Sequence, residues 1–104
     1  MRIATREILP QRRSNETFTL RHDDRDYTVT LGFFEDGSLG EVFLNGAKAG
    51  SDMEAVMHDG AVLLSLLIQH AIPLRAIKHA ITRDEDGQPE TIIGAVVDKI
   101  TEGE

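Results

Sequence analysis

The chain has 104 residues, 40% of them hydrophobic and 28% charged, which is enough for one domain with its own core and too few for two. A formal net charge of -7 repels nucleic-acid backbone and anionic membrane, and the absence of cysteine removes disulfides, zinc ribbons, thiol nucleophiles and redox couples together. The longest apolar run, 61–68, is broken by Ser65 and far too short to cross a bilayer, and no signal-peptide core is visible, so a cytoplasmic protein with no membrane partner is expected.

Residues 1–14 combine Pro10 with Arg2, Arg6, Arg12 and Arg13 and keep no hydrophobic period, so they read as an extended basic arm. Residues 1–13 carry a net charge of +3 and the remainder -10. Such an arm suits an acidic protein surface better than nucleic acid. A single domain over 15–101 follows.

From 16 to 21 and from 26 to 34, apolar and polar residues alternate. Phe18 and Leu20, then Tyr27, Val29, Leu31 and Phe33, share one face against Thr28 and Thr30 on the other. His22-Asp23-Asp24-Arg25 supplies a tight turn between these two strands, and Asp36-Gly37 a second before a third strand over 40–45. The first half is therefore a three-stranded antiparallel meander.

The period then changes. Met53, Val56, Met57, Gly60, Leu63, Leu64, Leu67 and Ala71 fall at helical spacing, with Glu54, His58, Asp59 and Gln69 off that stripe. Ser51 and Glu54 form the S-x-x-E capping box that starts the helix, and Pro73 ends it. Over 61–68 this long helix is apolar nearly all round. A three-stranded sheet covers only one side, so a homodimer through Val62, Leu66 and Ile68 is expected. Leu74, Ile77, Ala80 and Ile81 mark a short second helix. The segment 91–100 carries β-branched residues that suit a strand, but Ile92, Val96 and Ile100 keep the i, i+4, i+8 spacing of a third helix. The fold class is α+β.

The loop Gly46-Ala47-Lys48-Ala49-Gly50-Ser51 unites glycines, a cation, a hydroxyl and a helix N-terminus, the elements of an anion or nucleotide site. Lys48, Gly50, Ser51 and Glu41 are the candidate ligand-binding residues, although the loop lacks P-loop spacing and Asp52 opposes an anion in the first turn. An alternative assigns Lys48 and Ser51 to a phosphorylated substrate with Glu41 or His58 as base. A structural reading leaves a strand-to-helix connection with Lys48 in solvent. No catalytic constellation is complete. The histidines His22, His58, His70 and His79 form no H-x-x-x-H pair, so neither a metal nor a cofactor is expected. Ser65 has no base within sequence reach, and its hydroxyl is expected to bond back to the Ala61 carbonyl.

Gly37-Ser38-Leu39-Gly40-Glu41-Val42-Phe43, then Lys48-Ala49-Gly50-Ser51, then Ser65-Leu66-Leu67-Ile68-Gln69-His70-Ala71-Ile72-Pro73, together resemble the TSCPD domain. That domain occurs at the C-terminal end of vitamin-B12-dependent ribonucleotide reductases and as small stand-alone proteins. The resemblance runs from about 16 to 81, with Gly87-Gln88-Pro89, Ile93-Gly94 and Asp98 similar to the tail of the stand-alone form. It implies an accessory or regulatory module of deoxynucleotide metabolism that binds a protein partner or a nucleotide. The cysteine motif that names the domain is absent, so this chain supplies neither a thiyl radical nor a reducing cysteine pair.

Overall fold

In a computed structural model, residues 14–102 are described, and the basic arm of the sequence reading lies outside them apart from Ser14. Strands β1 (Asn15–His22), β2 (Arg25–Phe33) and β3 (Leu39–Asn45) form an antiparallel sheet in the order β1-β2-β3. The β1–β2 turn places Asp23 and Asp24 at φ 54° and 62°, the left-handed pair that a two-residue hairpin requires and that aspartate tolerates. Because paired residues share a face, the register Phe18↔Val29, Leu20↔Tyr27, Val29↔Leu44 and Leu31↔Val42 assembles one apolar surface. Thr17 and Thr30 meet on the other face, their hydroxyls 3.3 Å apart. A register shift between Gly32 and Phe33 ends β2 one residue before the expected strand end, and Phe34 is nevertheless buried beyond it.

Three helices follow: α1 (Asp52–Gln69), α2 (Leu74–Ala80) and α3 (Ile92–Thr101). The α+β architecture is thus a three-stranded meander and then three helices, as the periodicities require. The capping box forms, with the Glu54 amide donating to Ser51 Oγ at 3.1 Å. Helix α3 starts at Ile92, where Thr91 Oγ1 accepts from the Gly94 amide at 3.0 Å. The apolar faces of α1 and α3 close over the sheet. Met57, Ala61 and Leu64 from α1, and Ile92, Val96 and Val97 from α3, pack with Tyr27, Val29, Leu31, Val42 and Leu44 in one core.

The side of α1 that faces inward is rotated from the stripe read in sequence. Met57 and Leu64 are buried, but Met53, Val56, Leu63 and Leu67 are exposed, while Gln69, placed off the stripe by its polarity, is 1% exposed. The reason lies in β3, an edge strand whose outward N–H and C=O groups need partners. The Val42 amide donates to Ser65 Oγ at 2.9 Å, and Gln69 Nε2 donates to the Gly40 carbonyl at 2.8 Å. Ser65 Oγ donates in turn to the Ala61 carbonyl at 2.8 Å, the bond expected from sequence, with the Val42 carbonyl 3.3 Å away. The helix lies against the strand edge by its polar side chains.

Beyond α2, Arg83 fastens the last connection. Its guanidinium donates to both carboxylate oxygens of Asp98 at 2.7 and 2.9 Å, to the Gly87 carbonyl at 3.0 Å and to the Lys78 carbonyl at 3.0 Å. The hydrogen bond from Arg83 holds the Asp98 carboxyl below its ordinary pKa range, against a desolvation effect in the opposite direction.

Candidate functional site

The Lys48 loop leaves β3 through Gly46, at φ 132°, where an added Cβ would stand 2.9 Å from the Asp26 carbonyl oxygen. Its polar groups close on themselves. The Gly50 amide donates to Glu54 Oε1 at 2.7 Å, and the Ser51 hydroxyl donates to the Lys48 carbonyl at 2.6 Å. The Ser51 amide also donates to the Lys48 carbonyl, at 3.1 Å. Glu54 thus fills the amide position that an anion would take, and the Lys48 side chain remains exposed. Glu41 is not brought to the loop. It lies four residues back from Asn45, about 13 Å of strand, and pairs with Gly32 on the sheet face away from the helices. His58 instead borders a groove of about 320 Å³ along the outer edge of β3, with Leu44, Asn45, Ala61 and Val62. Among the described residues, no group of three or more His, Asp and Glu is placed to hold a metal ion.

The three residues expected at an interface do not share a side of α1. Val62 is exposed and Leu66 half-buried on one side, whereas Ile68 turns inward against the core. A wider exposed apolar surface lies elsewhere on the helix. Met53, Val56, Leu63 and Leu67 repeat at intervals of three, seven and four residues, with Gly60 completing the alternation of three and four that keeps one face of a helix. Val56 is 66% and Leu63 61% exposed, large values for branched apolar side chains. At Gly60 the helix approaches α3 closely: an added Cβ would stand 2.8 Å from the Ile93 side chain, which would have to shift to admit it. Ile93 from α3, half-buried and packed against the core, covers Gly60.

A second uncommon surface is positive. Arg75, Lys78 and His79 occupy positions i, i+3 and i+4 of α2 and border, with Thr101, a depression of about 300 Å³. Arg75 and His79 also border an adjoining depression of about 600 Å³ whose other walls are Pro73, Leu74 and Ala76. Among the described residues these three side chains make no ion pair, whereas Arg21, Arg83 and Lys99 are paired with Asp26, Asp98 and Glu102.

The sequence that folds in this way is matched by a family model for the TSCPD domain over residues 3–100. The chain belongs to the TSCPD domain family. The match takes in most of the segment read from sequence as a basic arm. Relatives include vitamin B12-dependent ribonucleotide reductases from Agrobacterium fabrum, 34% identical over 74% of the chain, and from Rhodopirellula baltica, 33% identical over 69%. A third, from Bradyrhizobium diazoefficiens, is 30% identical over 74% of the chain. The chain spans only 6% or 7% of the length of these proteins. No solved structure matches it. The TSCPD domain seen here is thus a ribonucleotide-reductase-related domain, and no helix among its described residues is long and apolar enough to cross a membrane.

Sequence reasoning missed two features of this TSCPD domain. The cationic side of α2 has a sequence signal, three basic residues at i, i+3 and i+4, which a search for H-x-x-x-H pairs does not detect. The exposed side of α1 was not legible, because Val and Leu occur on both sides of the helix and only the edge of β3 selects the buried one.

Proposed function

We propose that the chain is a non-catalytic accessory domain of ribonucleotide reduction that acts by binding protein, with the exposed face of α1 as its contact surface and a second copy of the chain as its first partner. One observation carries this reading: a row of Met53, Val56, Leu63 and Leu67 stays in water on a helix whose buried side is already complete. Exposed apolar surface of this continuity marks an association site. Two-fold antiparallel pairing about the middle of α1 sets Val56 against Leu67 and Gly60 with its covering Ile93 against Leu63. It also sets the two helix dipoles antiparallel, which favours the pair, although Asp52 beside the partner's C-terminus offsets part of that gain.

The nucleotide form of this reading, at the Lys48 loop, has less support, since Glu54 and the Lys48 carbonyl take up the Gly50 and Ser51 amides and the Ser51 hydroxyl. The enzyme alternative needs Glu41 or His58 as base beside Lys48; Glu41 lies back along β3 and His58 borders the groove at the outer edge of that strand, so this alternative has less support. With no cysteine in the chain, the radical and reducing steps of ribonucleotide reduction would belong to a partner.

The test is calorimetric titration of the chain into a purified vitamin B12-dependent ribonucleotide reductase, followed by assay of nucleotide reduction with and without it. Saturable binding that alters turnover, with no reduction by the chain alone, is the expected result. Absence of binding, or reduction by the chain alone, would overturn the accessory role.

A further inference from the structure

We infer that the cationic side of α2 is a binding site for an organic phosphate, with the phosphate at Arg75, Lys78 and His79 and an apolar portion of the ligand against Pro73 and Ala76. Three observations converge on it. The first is charge contrast: a chain of net charge -7 presents three basic side chains on one helix side, without an ion-pair partner among the described residues. The second is their position. Lys78 and His79 fall in the last turn of α2, where the helix dipole favours a cation, but Arg75 stands in the first turn, where it does not. The dipole explains two of the three and leaves Arg75 to another cause.

The third is shape. The depression of about 300 Å³ bordered by Arg75, Lys78, His79 and Thr101 adjoins the one of about 600 Å³ with walls from Pro73, Leu74 and Ala76, and Arg75 and His79 border both. Convergent cations beside an apolar hollow are what a ligand with a charged head and an uncharged body requires. The carboxylates of α3 neutralise the cations only in part, since Asp98 attracts Lys78 but makes no ion pair with it. Asp98 is held bidentately by Arg83, and Glu102 lies 3.5 Å from Lys99. The guanidinium fork of Arg75 suits two phosphate oxygens, with the Lys78 ammonium as a point charge and a His79 ring N–H as a further donor beside it. This site is separate from both the Lys48 loop and the exposed side of α1.

The experiment titrates the intact chain with inorganic phosphate and with 1-naphthyl phosphate at about 0.15 M salt, following affinity by calorimetry and position by amide chemical-shift changes. The expected result is at least tenfold tighter binding of naphthyl phosphate, with shifts centred on residues 73–79 and 101. Arg75→Gln/Lys78→Gln should weaken both ligands at least tenfold, while Lys48→Gln changes neither. All three residues are at least partly exposed, so the fold should survive, and an unchanged melting temperature verifies this. No saturable binding, equal affinity for the two ligands, or equal weakening by Lys48→Gln would each overturn the assignment. The oligomeric state of the chain does not enter these readouts, so this proposal and the pairing through α1 fail or succeed separately.

Discussion

Each side of α1 holds residues of a type usually found on the other, although Met57, Ala61 and Leu64 keep the buried side largely apolar. Toward β3 the helix buries Ser65 and Gln69, and away from it exposes Val56 and Leu63. On the β3 side, an unpaired strand edge in a low-dielectric setting makes a polar side chain worth more than an apolar one, because an orphaned buried amide costs more than a methyl group gains. On the other side nothing in the chain needs covering, and the apolar residues contribute little to the fold. The contrast separates what α1 does for folding from what it offers to a partner.

The largest effect is expected where the edge is sealed. Ser65→Ala removes the acceptor of the Val42 amide and should cost about 1–3 kcal/mol, a clear fall in the thermal midpoint. A neutral result would show that the helix is held by the apolar core alone.

A smaller, pH-dependent effect belongs to the Arg83–Asp98 pair. The folded-state pKa of Asp98 is lowered, so the pair's contribution is complete above the ordinary carboxylate range and is lost as pH falls through the folded value. Asp98→Asn should therefore reduce stability at neutral pH and flatten the loss of stability below about pH 4. An acid limb identical to that of the parent chain would remove the ion pair from the account.

The smallest effect on stability is expected on the exposed side. Leu63→Glu, measured in dilute protein where the monomer prevails, should change unfolding free energy by no more than about 0.5 kcal/mol. A loss comparable to that of Ser65→Ala would mean that this side is already packed within one chain.

Much of this fold was legible because the signals were local. Period-two alternation located β1 and β2, Ser51 and Glu54 started α1, and the spacing of Ile92, Val96 and Ile100 outweighed their β-branching in favour of α3. The Ser65 bond to Ala61 was legible too, as a contact within one helical turn. The rotation of α1 was not, since Ser65 and Gln69 answer to Val42 and Gly40, residues more than twenty positions earlier in the chain. The candidate site was less legible than the fold. A glycine-bracketed lysine loop carries the composition of an anion site, but composition does not show that Glu54 folds back onto the Gly50 amide. Likewise Val62, Leu66 and Ile68 are apolar neighbours in sequence that the helix sends to different sides.

Sedimentation equilibrium of the parent chain and of Leu63→Glu, over a concentration range that brackets dimer formation, tests the central claim most directly. The account predicts a reversible monomer–dimer equilibrium for the parent, weakened at least tenfold in Leu63→Glu while Val62→Glu remains close to the parent. A parent chain that stays monomeric at every concentration, or a dimer indifferent to Leu63→Glu, would contradict it.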